Sequence, residues 1–152
     1  MDYEQLETMA EGIPIIYVND APKGFKGAYK DGAIFLNFNM PIHEKKEVLA
    51  EELGHHFTSV GDITDYKTIN NRKQELKARR YGCELIITLD GLIECWQQHM
   101  RSVFEMAEYF NVSPQYILKA INHYRMKYGL STFYDGYLIR FEPLNVYEYK
   151  TI

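Results

Sequence analysis

The chain has 152 residues, 46% of them hydrophobic, with 13 Tyr and 8 Phe and a net charge of −4. That is enough to bury a core as one domain, or one domain with a small helical appendage, and the composition excludes disorder. The acidic balance argues against a nucleic-acid surface, and two cysteines exclude a disulfide framework or a Cys-based zinc site.

In chain order, residues 3–11 read as a short amphipathic helix carrying Leu6, Met9 and Ala10 at helical spacing. Residues 13–18 are a β-branched run ended by Asn19-Asp20, hence a strand. Gly24, Gly27 and the tight-turn pair Asp31-Gly32 punctuate the approach to a further strand over 33–39. Pro41 then leads into a helix over 44–59. A loop begins at Val60-Gly61-Asp62, and the polar stretch 62–71 is expected to cross the site. A helix follows over 72–89, with Leu76, Tyr81, Cys83, Leu85 and Ile86 as its apolar set. Asp90-Gly91 should interrupt it before another helix over 92–98. Residues 103–110 and 114–128 are two helices joined by Asn111-Val112-Ser113. Ser113 is the expected N-cap, Pro114 the first helical position and Gly129 the stop. After Asp135-Gly136, the alternating run 137–141 predicts a C-terminal strand. The class is therefore α+β: a small, mostly antiparallel sheet packed on helices. The expected division is a domain over 1–100, with a helical tail resembling a helix-turn-helix over 101–152 packed on it. No stretch reaches the roughly 18 apolar residues that span a bilayer. The acidic start Met1-Asp2-Tyr3-Glu4-Gln5 has no basic-then-apolar leader. A soluble, cytoplasmic protein is expected.

The most informative string is Glu51-Glu52-Leu53-Gly54-His55-His56. At helical spacing Leu49, Ala50, Leu53 and Phe57 share one arc, and Glu51, Glu52, His55 and His56 the opposite one. Glu51/His55 and Glu52/His56 are i, i+4 pairs that project side by side. A helix uses this geometry to offer two metal ligands and a neighbouring carboxylate that acts on a bound water. Zinc needs a further protein donor, and Glu75 on the following helix is the best candidate. Ala78, one turn on, would let the two helices approach closely. Gly54 points the same way, because a mid-helix Gly costs roughly 1 kcal/mol relative to Ala. Glu52 would then be the general base. The plainer reading is a solvated helix face with ion pairs among Glu75, Lys73, Lys77, Arg79 and Arg80.

The string 49–56 resembles the active-site helix of the ImmA/IrrE-type metallopeptidases, usually Ala-His-Glu-Leu-Gly-His. The resemblance takes in the strand at 32–37, the Glu75-Leu76-Lys77-Ala78 segment and the helical stretch 106–113, and covers about residues 13–128. It implies a small gluzincin-like fold and a metal-dependent endopeptidase acting in phage or mobile-element regulation by cleaving a helix-turn-helix repressor. Position by position it makes His55 and Glu75 metal ligands and Glu52 the catalytic carboxylate. Glu51 falls at the other ligand position, where the family has His. A Glu/His/Glu site binds zinc, and suits manganese better than a two-His site does. His56 is a rival ligand, paired with Glu52. The alternative function is an inactive relative that binds and sequesters the repressor.

Elsewhere the signals are weaker. As a DNA reader the second tail helix would offer Gln115, Lys119, Asn122 and Arg125, but the charge balance favours packing or partner binding. The Glu52-x-x-His55 spacing of di-iron bundles lacks its second copy. Cys83 and Cys95 read as buried hydrophobes, and His99 and His123 as structural or exposed. Tyr124, Tyr128, Tyr134 and Tyr137 could each hydrogen-bond a reaction intermediate, with packing the default.

Overall fold

The computed structural model describes residues 1–58 and 68–150, with side chains from residue 72 onward in the second stretch. The chain divides into two units, Met1–Ile86 and Ile87–Ile152.

The first unit opens with α1 (Tyr3–Met9), which starts in a capping box: Asp2 accepts from the Gln5 amide and the Gln5 side chain accepts from the Asp2 amide. The strands β1 (Ile15–Val18), β2 (Gly27–Lys30) and β3 (Ala33–Asn37) form a sheet in the order β1-β3-β2. Asp31 and Gly32 both have positive φ, 50° and 76°, which is what a two-residue turn with the right twist requires between β2 and β3. β3 pairs antiparallel with β2 and parallel with β1. The parallel pair was not foreseen, and nothing local in the sequence distinguishes it. Ile34 and Leu36 alternate onto the buried face of β3, fully enclosed.

The helices α2 (Ile42–Thr58) and α3 (Thr68–Ile86) complete the unit. Leu49, Ala50 and Leu53 are fully buried as expected, but Phe57 is 46% exposed. Its ring stacks on Tyr81 and meets the edge of His56. α2 is covered by α1, by β2 and β3, and by α3, so burial is not confined to one arc and reaches Lys46 and Glu52. The expected crossing stretch, 62–71, lies outside the described residues up to 67 and is already α3 from Thr68. Leu76, read as apolar-face, is 40% exposed.

The second unit contains α4 (Leu89–Gln97), α5 (Val103–Phe110), α6 (Pro114–Tyr128) and the antiparallel meander β4 (Ser131–Tyr134), β5 (Tyr137–Phe141), β6 (Leu144–Glu148). Asp90-Gly91 does not break a helix. Thr88 is an N-cap accepting from the Gly91 amide, so both residues sit in the first turn of α4, where an acidic side chain is favoured. Gly91 is there because a Cβ would come 2.5 Å from the Phe110 ring. Ser113, Pro114 and Gly129 take their expected capping places around α6. Strand β5 has partners on both sides, where the sequence had shown one strand alone.

The C-terminal tyrosines are structural. Tyr124, 2% exposed, donates to the Ile87 carbonyl at 2.7 Å and packs in a three-ring cluster with Tyr128 and Phe141, all three centroids 5.8–6.2 Å apart. Tyr134 donates to Asp90 at 2.9 Å, and Tyr137 accepts from Gln97 at 2.8 Å. Because the Ile87 carbonyl would be left buried and unsatisfied, Tyr124→Phe is expected to cost about 1–2 kcal/mol. Urea denaturation reads this directly, and an unchanged midpoint would refute the role.

Candidate metal centre

α2 and α3 run antiparallel in a close register set by small side chains. A Cβ on Gly54 would lie 2.2 Å from the Ala78 carbonyl oxygen, and one on Gly82 would lie 2.9 Å from the Ala50 carbonyl. Ala50 and Gly54 are one turn apart on α2, as are Ala78 and Gly82 on α3, so four small residues make two backbone contacts in series. The expected close approach at Gly54 and Ala78 is therefore real, and Gly82 is its second half. Gly82 was legible as the i+4 partner of Ala78, but its role had not been drawn from the sequence.

One residue beyond Ala50, Gly54 and Ala78 stand Glu51, His55 and Arg79, and Glu75 lies one turn before Arg79. His55 Nε2 lies 3.2 Å from Glu75 Oε1, and Arg79 Nε lies 3.4 Å from Glu51 Oε1. Glu51, His55 and Glu75 each bring one ligand atom to a common region, all within 4.8 Å of one another. The His55 side chain is only 12% exposed, whereas that of Glu75 is 49% exposed. The donor set of two carboxylates and an imidazole is chemically suited to a divalent cation.

Glu52 is 7% exposed. Burial, then the charges of Glu51 and Glu75, push its carboxyl pKa up from 4.5 to about 8. Burial is the larger cause, and the neighbouring carboxylates add to it, so a cation held by Glu51, His55 and Glu75 would favour the ionised form of Glu52.

His56 lies apart from the cluster. Its Nδ1 is 2.7 Å from the Tyr29 hydroxyl on β2, and the two rings meet edge to face. This contact ties the sheet edge to α2 one turn beyond Glu52, and Tyr29 had no signal in the sequence. Of the remaining candidates, Gln115, Lys119 and Asn122 are exposed on α6, and Arg125 is paired with Glu142 at 2.7 Å. His123 is buried and His99 exposed, while Cys83 and Cys95 are buried free thiols.

Residues 8–122 match the family Peptidase_M78, described as the IrrE N-terminal-like domain. The chain belongs to this family, whose function is of the metallopeptidase type and metal-dependent. A search of curated proteins gave no match. Among the described residues no helix is long and apolar enough to cross a membrane.

Proposed function

We propose that this chain is a cytoplasmic metal-dependent endopeptidase that cleaves a helix-turn-helix repressor of a phage or mobile element. The observation that carries the reading is the convergence of Glu51, His55 and Glu75 beside the buried Glu52 carboxyl. Glu51, His55 and Glu75 are the ligands, and zinc the expected ion, with manganese suited to the two-carboxylate set. When bound, the ion supplies a Lewis acid that polarises a peptide carbonyl and acidifies water. In the ionised form that a neighbouring cation favours, Glu52 would be the general base, taking a proton from the attacking water and returning it to the leaving amine. His55 and Glu75 lie 3.2 Å apart across the two helices, close enough to share one ion, and Tyr29 holds His56 apart from the ligand set.

Elemental analysis of protein purified without chelator is expected to find about one equivalent of metal per chain, falling to background in His55→Ala. Metal that stays bound in His55→Ala would sink the ligand assignment. The second reading is a non-cleaving relative that sequesters the repressor, and the departure from His at position 51 is what favours it. The two part over Glu52→Gln. In the peptidase that change abolishes fragment formation from a helix-turn-helix repressor substrate and leaves binding intact. A sequestering protein yields no fragment in either form.

A further inference from the structure

Four side chains cross between α2 and α3 at the site, and one of them is no ligand. Arg79 follows Glu75 by one helical turn, as His55 follows Glu51. The two pairs face each other in antiparallel order, His55 on Glu75 at 3.2 Å and Glu51 on Arg79 at 3.4 Å. Three carboxylates, Glu51, Glu52 and Glu75, crowd this region, and Arg79 is the cation that the structure sets against Glu51.

We propose that Arg79 is a positioning residue for the cation site, whose guanidinium offsets the charge of Glu51 and fixes the orientation of that carboxylate as a ligand. Arginine suits the task because it never loses its proton and holds its donors in a planar fork matched to a carboxylate. The pair taken alone contributes little: Arg79 is 53% exposed and Glu51 31%, and exposed ion pairs are weak. Its consequence falls on the ion, because groups that hydrogen-bond a ligand set that ligand's direction and charge. A carboxylate at position 51 therefore comes with its own counter-charge, and the site presents the net charge of one with a neutral donor there.

This rests on Glu51, His55 and Glu75 being the ligand set, and the test separates the two claims. Zn2+ and Mn2+ affinities are measured on the full chain by competition with a chromogenic chelator, with far-UV spectra to show that each variant is folded. Arg79→Gln is expected to weaken binding about tenfold, a typical effect for a residue that orients a ligand. Arg79→Lys, which keeps the charge but not the planar guanidinium, should recover only part of that loss. In a Glu51→His background the sign reverses. Arg79 then faces a neutral imidazole and repels the incoming ion, so Arg79→Gln strengthens binding there. A silent Arg79→Gln, or a change of the same direction in both backgrounds, overturns the proposal while leaving the ligand set standing. If the wild-type chain binds neither ion, both fall together.

Discussion

Gly54→Ala is expected to destabilise the chain by roughly 2–3 kcal/mol and to abolish metal binding, although it replaces the poorest helix former after proline with the best. On an isolated helix the exchange would gain about 1 kcal/mol. Here the new Cβ would sit 2.2 Å from the Ala78 carbonyl oxygen, backbone that cannot rotate away, so α2 and α3 must part. His55, the residue after Gly54, meets Glu75 across that same gap at 3.2 Å. The stability loss and the loss of metal thus share one cause. Thermal melting and metal titration of Gly54→Ala beside Gly54→Ser test this, and a variant more stable than wild type would refute the packing argument. Gly82→Ala should act in the same direction but less, since its nearest contact is 2.9 Å.

The second large effect concerns Glu52 in metal-stripped protein. Its carboxyl keeps its proton to about pH 8 in the folded chain and loses it near the ordinary 4.5 when unfolded. Between those values the folded state binds more protons than the unfolded state, so stability falls as pH rises. Glu52→Gln mimics the protonated form and escapes that loss. The variant should match wild type near pH 4, then gain on it steadily to about pH 8 and hold a constant lead above. The lead at pH 8 should be roughly 2–4 kcal/mol, less than the whole shift implies because water and neighbouring carboxylates relax around the charge. Saturating Zn2+ should shrink the lead, because a nearby cation favours the ionised carboxylate. A lead that does not vary with pH, or a Gln variant less stable than wild type at pH 8, would count against the buried protonated carboxyl. The same variant is expected to be inactive in cleavage, so stability and activity move in opposite directions at one residue.

The features that the sequence showed are those whose cause is local. Asp31-Gly32 and Asp135-Gly136 adopt positive φ at both positions, and only small or turn-forming residues do so easily. Ser113-Pro114 and Gly129 mark the ends of α6 through capping chemistry alone. The strands β2, β4 and β6 are four or five residues long and owe their form to partners, so their own residues carry little pattern. Asp90-Gly91 misled because it is turn chemistry placed in a helical first turn, where Phe110 and the Thr88 cap decide the outcome. At the site, Glu51, Glu52 and His55 could be named because i, i+4 spacing is visible in one dimension, and Glu75 because a third donor on the following helix was needed and its segment matched the family pattern. Which residue of α3 faces which residue of α2 is not, so Arg79 read as one more surface charge. Tyr29, 27 residues before His56, was beyond any spacing argument.

The small-residue contacts between α2 and α3 have a bearing on how freely the site can vary. The distance between the helices is set by Gly54 on Ala78 and Gly82 on Ala50, contacts of carbon and backbone that involve no ligand. The side chains at 51, 55, 75 and 79 hang from a frame whose dimensions they do not determine. A donor can therefore be exchanged for another of similar reach, a carboxylate for an imidazole, with the span across which it must reach unchanged. Frame and chemistry are separable here: the first tolerates almost no substitution, and the second is open to retuning by charge alone.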